Sequence, residues 1–110
     1  MLLFAGDDPP LAYERDANDF ISAAWEAKAD WAAIQTARLT PDFWRLSTRL
    51  AGEVIQKFVN YQVGLAIVGD ISAEVAASGA LRNFVYESNK GPSVWFVADM
   101  AELQRKLASS

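Results

Sequence analysis

The sequence predicts a single α/β domain, residues 1–110, in which about four mostly parallel strands alternate with helices. Three observations predict this fold. Short apolar runs alternate along the chain with stretches whose apolar residues recur at helical spacing. Residues 63–68 are apolar at nearly every position, which is typical of a parallel strand covered on both faces. The length of 110 residues suits one domain with its own core.

The N-terminal third contains two predicted strands and one helix. Residues 2–5 form the first strand, and residues 6–10 end it because Gly, Asp and Pro favour turns. Asp16 marks the start of a helix, and residues 31–36 form the second strand. The helix is expected to turn one apolar stripe inward, made of Phe20, Ile21, Ala24 and Trp25.

The central helix, residues 50–61, has the clearest pattern in the chain. Its apolar residues fall on one half of a helical wheel and its polar residues on the other. Ser47 or Thr48 can cap its first turn through a side-chain oxygen. Residues 38–47, which precede it, are expected to form a loop or a single turn. The predicted inward half is Leu50, Ala51, Val54, Ile55, Phe58, Val59 and Tyr61.

A third helix follows the central strand. Residues 73–77 predict a helical turn, and Ser78 is the expected cap of the helix that comes next. This helix should end at residues 89–92, where its Asn or Gly can take the left-handed conformation that closes a helix. Its inward side chains are expected to be Leu81, Phe84 and Val85.

The C-terminal part predicts one more strand and one more helix. Residues 94–97 are apolar and form the last strand. Asp99 and Glu102 have the spacing of a capping box, in which each side chain satisfies a free N–H of the first helical turn. The final helix is expected to carry Leu103 and Leu107 inward.

Composition and charge exclude several classes of function. A net charge of −4 argues against nucleic acid as a partner, because binding phosphates requires a basic surface. The absence of Cys and His excludes thiol and imidazole nucleophiles and the usual zinc ligands. No dinucleotide loop or P-loop occurs, so no cofactor is predicted. Without a signal-peptide pattern or a run of ~20 apolar residues, we expect a cytoplasmic protein with no membrane partner.

Several short motifs follow one another in residues 38–97. They are RL at 38–39, PDF at 41–43, AGE at 51–53, QKF at 56–58, NY at 60–61, LAIVGD at 65–70, LRNFV at 81–85, ESN at 87–89 and WFV at 95–97. In these motifs the chain resembles a bacterial family known only as domain of unknown function 4180. The resemblance implies no established activity, and it implies another short strand before residue 2. Arg49 stands where that family usually has Gly.

The predicted layout is also similar to that of STAS domains, the fold of the anti-sigma-factor antagonists. In those proteins a strand leads to a Ser-containing loop that opens a helix, and a Ser in that loop can be phosphorylated. Residues 47–52 (STRLAG) correspond to that loop. This similarity implies an STAS-like sandwich and a regulatory module that acts by binding a protein partner.

The start of the central helix holds one group of candidate residues. Ser47 or Thr48 can be a phosphorylation site, because a helix N-terminus favours negative charge, or a plain helix cap. Arg49 can help to hold an anion there. Gly52 and Glu53 complete the group; the surface alternative for Glu53, and likewise for Glu87, is an ion pair with Arg82 or Lys57.

A second group is expected beyond the carboxyl ends of the parallel strands, where open α/β sheets place ligands. Asp70 can hold a metal ion or accept a phosphoryl group, or it can be an ordinary turn residue after a strand. The other candidates at this edge are Arg38, Gly69, Ser72 and Asp99.

Three functions remain open at this point. The favoured one is a non-enzymatic regulatory or protein-interaction module that uses residues 47–52 and 69–72. The alternatives are a small-molecule or anion-binding domain, and a carboxylate-dependent enzyme built around Asp70. The aromatic content and the exposed edges of a short sheet also predict a homodimer.

Overall fold

A computed structural model describes residues 1–4 and 10–109 of the protein. Its strands are β1 (Leu2–Phe4), β2 (Trp31–Gln35), β3 (Gly64–Val68) and β4 (Val94–Val97). Its helices are α1 (Ala17–Glu26), α2 (Pro41–Trp44), α3 (Leu50–Asn60), α4 (Ser72–Ala77), α5 (Gly79–Lys90) and α6 (Met100–Ser109). The predicted end of the first strand at Ala5, and the turn residues 6–9, lie outside the described residues.

The strands form one parallel sheet in the order β1-β2-β3-β4. This arrangement confirms the predicted α/β class with four parallel strands. The register places Leu3, Ala33, Ala66 and Trp95 in one row across the sheet. Because side chains alternate between the two faces along each strand, neighbouring rows point to opposite faces.

One face of the sheet, called the first face below, carries α1, α3 and α5. Alternate strand residues such as Ile34, Leu65 and Phe96 pack there against the apolar stripe of α3, in which Phe58 is fully buried. Phe84 and Val85 of α5 pack against the same cluster. The predicted inward stripes of the central and third helices therefore cover this face.

The opposite face, called the second face, carries α6. Leu103 is fully buried there beside Ala33, Ala66 and Val97. The indole rings of Trp31 and Trp95 stack with centroids 4.2 Å apart and planes 26° from parallel.

The stack depends on a glycine, because a Cβ at Gly64 would collide with the Trp31 indole. Trp31 and Gly64 are partners in neighbouring strands, and Trp95 belongs to the strand beyond. The missing side chain on β3 is therefore what lets the Trp31 ring lie flat and reach Trp95.

Three side chains that the helical patterns assign to the core are exposed. Trp25 is 55% exposed, Tyr61 46% and Val59 42%. The Trp25 and Tyr61 rings instead pack edge to face on each other, with centroids 5.3 Å apart. These predictions were wrong because all three residues lie in or beyond the last turn of α1 or α3. A helical wheel shows which side of a helix is apolar, but not whether the sheet extends far enough to cover the end of that helix.

The predicted N-terminal caps of α5 and α6 were correct, and the predicted left-handed end of α5 at Gly91 was wrong. The Ser78 hydroxyl accepts the Leu81 N–H, and Asp99 accepts the Glu102 N–H, as predicted. Gly91 is not left-handed, since its φ is −86°.

Asn89, the other residue predicted to close α5, lies within that helix and bonds to the edge strand β4. Its side chain accepts the Phe96 N–H at 2.7 Å and donates to the Phe96 carbonyl at 3.2 Å. The amide thus satisfies backbone groups of an edge strand, which are otherwise open to pairing with another chain.

Candidate functional site

A cavity of about 840 Å³ opens beyond the carboxyl ends of β2 and β3, and we call it the strand-end cavity. It lies between the segment that follows β2 and the helices that follow β3. Its apolar walls are Ala37, Leu39, Pro41, Trp44, Leu46 and Leu81. Its polar residues are Thr36, Arg45, Ser47, Glu74 and Ser78.

Three residues, Pro41, Ser78 and Gly69, shape the segments around this cavity. Pro41 starts α2 at a position that needs no backbone N–H, so the chain turns soon after β2. Ser78 has an extended backbone and separates α4 from α5, so these helices do not continue into one. Gly69, after β3, has a φ of +150°, and a Cβ there would collide with the Thr36 side chain.

The two charged side chains that line the strand-end cavity, Arg45 and Glu74, differ in their partners. Arg45 Nη1 lies 3.4 Å from Asp42 Oδ1, so the cation of this wall already has an anion beside it. Glu74 Oε2 is buried and receives no hydrogen bond from the described residues. Glu74 Oε2 is therefore a shielded carboxylate oxygen of the cavity with no hydrogen-bond partner among the described residues, which is unusual.

Of the predicted residues at the helix start, Ser47 lines the strand-end cavity and Thr48 is held by the backbone. The Thr48 hydroxyl lies 2.7 Å from the Asp42 carbonyl and 2.8 Å from the Arg45 carbonyl, and it accepts the Leu50 N–H at 3.3 Å. The N-cap of α3 is nevertheless Arg49, which has no side-chain cap, so the prediction that Ser47 or Thr48 caps this helix was wrong; Thr48 supplies only an acceptor for the N–H of the first helical residue. The Ser47 side chain is exposed.

Arg49, Gly52 and Glu53 line a different cavity of about 440 Å³ together with Phe84. Arg49 has a φ of 64°, a left-handed conformation that glycine adopts without strain. A Gly at this position, which the resemblance described above implies for related proteins, would adopt the same conformation without strain.

The Gly69, Asp70 and Ser72 group lines a third cavity of about 380 Å³. Asp70 Oδ1 accepts the Ser72 N–H at 2.9 Å. This bond, followed by one from the Ser72 side chain, holds the pKa of the Asp70 carboxyl below its ordinary value of 3.8. Asp70 therefore has the geometry of the turn residue that was the alternative to a metal ligand.

The structure does not place Arg38 at an open crevice. Its side chain is 6% exposed, and its guanidinium lies over the Phe20 ring at 4.9 Å. Its carbonyl accepts the Leu11 N–H. Arg38 is thus packed against the first face, where the Phe20 ring accommodates its cationic side chain.

The predicted ion pairs of Glu53 and Glu87 are replaced by others. Lys57 lies 3.6 Å from Glu14, and Lys90 lies 3.7 Å from Glu87. The helical pattern alone missed the Lys57 pair because Glu14 comes from a distant part of the chain.

Sequence reasoning did not single out Glu74 as a cavity residue. Glu74 is the lone charged residue of an alanine-rich stretch, which is a weak signal at best.

Among the described residues, no group of three or more His, Cys, Asp or Glu side chains could hold a metal ion. None of the described helices is both long and apolar enough to cross a membrane.

Comparison with known proteins gives one match. The family described as "Domain of unknown function (DUF4180)" matches residues 1–107, which is nearly the whole chain. The chain therefore belongs to this family. No curated protein and no solved structure matches it.

Proposed function

We propose that this member of the family of domain of unknown function 4180 is a non-enzymatic binding module whose strand-end cavity takes a small molecule. The observation that carries the proposal is the cavity itself. Its volume of about 840 Å³ falls in the range of ligand pockets, and its walls combine apolar side chains with a few polar groups. Its place beyond the carboxyl ends of parallel strands is where α/β sheets bind ligands.

A matched pair of variants tests this proposal. Both alanines are exposed on α4, but Ala77 lines the strand-end cavity and Ala76 does not. Ala77→Trp should fill the cavity, and Ala76→Trp should leave it open. We expect a thermal-shift screen of small apolar and amphipathic compounds to raise the Tm of the wild type and of Ala76→Trp, but not of Ala77→Trp, because a ligand of the native state stabilises it.

Two results would contradict the proposal. One is a screen in which no compound stabilises the wild type. The other is equal stabilisation of Ala77→Trp and Ala76→Trp, since binding would then occur outside the cavity.

A second candidate is an STAS-like regulatory role in the bacterial cytoplasm through a protein partner. It is favoured by the exposed run of Ser47, Thr48 and Arg49 directly before α3. The Thr48 hydroxyl is already hydrogen-bonded to the carbonyls of Asp42 and Arg45, so Ser47 is the better phosphorylation candidate. Pull-down from a bacterial lysate should capture a stoichiometric partner with the wild type and lose it with Ser47→Asp; capture by both forms would contradict this role.

We also propose that the protein forms a homodimer. Leu3, on the edge strand β1, is 42% exposed, and Met1 beside it is 50% exposed. Exposed apolar side chains at a sheet edge favour pairing with a second copy. Sedimentation velocity at micromolar concentration should give a dimer, and a monomer alone would overturn this expectation.

A further inference from the structure

We infer that the ligand of the strand-end cavity carries a positively charged amine, which pairs with Glu74 while its apolar part lies against Trp44. The inference rests on the proposed function and adds the chemical class of the ligand. It follows from the hydrogen bonding of Glu74, the charge balance of the cavity and the nature of its walls.

The first argument is the unsatisfied oxygen of Glu74. Its Oε2 is shielded from solvent and receives no hydrogen bond from the described residues. A shielded carboxylate oxygen without a donor is unfavourable, because the hydration it has lost is not replaced. A ligand that brings a donor to this side chain removes that deficit, and a ligand that brings only acceptors does not.

The second argument is the sign of the charge. Arg45 is the cation of the cavity wall, and Asp42 lies 3.4 Å from it. The ion pairs found among the described residues join other groups and leave Glu74 without a cation. An anionic ligand would meet the Glu74 carboxylate, whereas an ammonium group would form a charge-assisted hydrogen bond with it.

The third argument is the wall that surrounds Glu74. Trp44 is half-buried and packs on Phe43 and Phe96, with ring centroids 5.2 and 6.2 Å apart. Leu39, Leu46 and Leu81 line the same cavity. These residues suit a ring or a short alkyl chain, so the predicted class is an apolar amine rather than a polyamine or an amino sugar.

Three probes of one shape test the inference: phenethylamine, the neutral 2-phenylethanol and the anionic 3-phenylpropionate. Isothermal titration of the wild type should give affinities that fall in that order, with the amine at least about tenfold tighter than the alcohol, the change that about 1.4 kcal/mol produces. Glu74→Gln should bring the amine and the alcohol to within about twofold of each other. Glu87→Gln, an exposed acid on α5, should keep the wild-type preference.

The outcomes separate the two proposals. If Ala77→Trp binds the probes as the wild type does, the cavity is not the site and both proposals fail. If no probe binds the wild type but the thermal-shift screen finds compounds that Ala77→Trp no longer binds, only the amine inference fails; if the screen finds none either, both fail. If the probes bind in the cavity without preference for the amine, or if Glu74→Gln keeps that preference, only the amine inference fails. Retained binding of 2-phenylethanol by Glu74→Gln shows that this variant is folded and that its cavity is intact.

Discussion

The two faces of the sheet are built from the same four strands and differ in what covers them. Three helices, α1, α3 and α5, pack on the first face around a cluster that includes Phe58. The described residues bring one helix, α6, to the buried cluster of the second face. The difference shows that a parallel sheet can be closed on one side by few elements if large side chains within the sheet supply the missing contact area.

Tryptophan supplies that area on the second face. The Trp31 ring lies over Gly64 and stacks on Trp95, whose indole N–H donates to the Gly91 carbonyl at 2.8 Å. Lys106 of α6 lies over the Trp95 ring at 4.8 Å. An aromatic side chain buries a large apolar area, so these two rings supply part of the packing on this face from within the sheet itself.

The largest expected effect comes from removing the anchor of α6. Leu103→Ala should lower the free energy of unfolding by about 3 kcal/mol, since Leu103 is fully buried and the change leaves a cavity. It should also weaken the near-UV circular dichroism of the stacked tryptophans, because α6 holds them in place.

The matched variant on the first face is Leu50→Ala in α3. It should also lower the free energy of unfolding in urea, but the near-UV signal of the native state should persist. Equal loss of that signal in both variants would show that the two faces do not differ in this way.

The next effect concerns Gly64. Gly64→Ala should cost about 2 kcal/mol, because its Cβ meets the Trp31 ring and forces either the ring or the strand to move. The same change in a Trp31→Ala background should cost much less, and urea unfolding of the four proteins measures this coupling. Equal costs in both backgrounds would mean that the strain lies elsewhere in the strand.

A smaller effect, of opposite sign, is expected where α3 begins on the first face. Arg49→Gly should stabilise the fold by roughly 0.5 kcal/mol. The relief of strain at a left-handed residue, about 1–2 kcal/mol, outweighs the stability lost because Gly raises the conformational entropy of the unfolded chain, about 0.4–1 kcal/mol. Arg82→Gly, in the regular helix α5, should instead destabilise by about 1 kcal/mol. A loss of stability in Arg49→Gly would show that the Arg side chain does more than occupy the position.

The smallest effect belongs to neither face and depends on pH. The pKa of Asp70 is lowered in the folded state by bonds from Ser72, so its contribution to stability is present above pH 3.8 and is lost as the pH falls through the folded pKa. Asp70→Ala should therefore lower the Tm at neutral pH, and the difference from the wild type should shrink below pH 3.8. A Tm difference that is the same at every pH would assign the effect to something other than the carboxylate.

Sequence reasoning did better on the strands and helices than on the site. The buried run of β3, the stripe of α3 and the caps at Ser78 and Asp99 are local patterns, and each was found where it was predicted. The candidate residues were predicted as two groups, yet Ser47, Arg49 and Asp70 line three different cavities. Neighbours in sequence point in different directions once a turn or a helix begins, so closeness along the chain did not predict a shared cavity.

The sequence by itself determined the α/β class, the order of the elements and membership of the family, because periodicity and motifs are properties of short segments. Only the tertiary structure decided that Trp31 would reach Trp95 across Gly64, and that Glu74, whose Oε2 receives no hydrogen bond from the described residues, would line the same cavity as Trp44. These contacts join segments far apart in the chain. Their geometry depends on the register of the strands and the packing of the helices, and no local pattern in the sequence encodes either one.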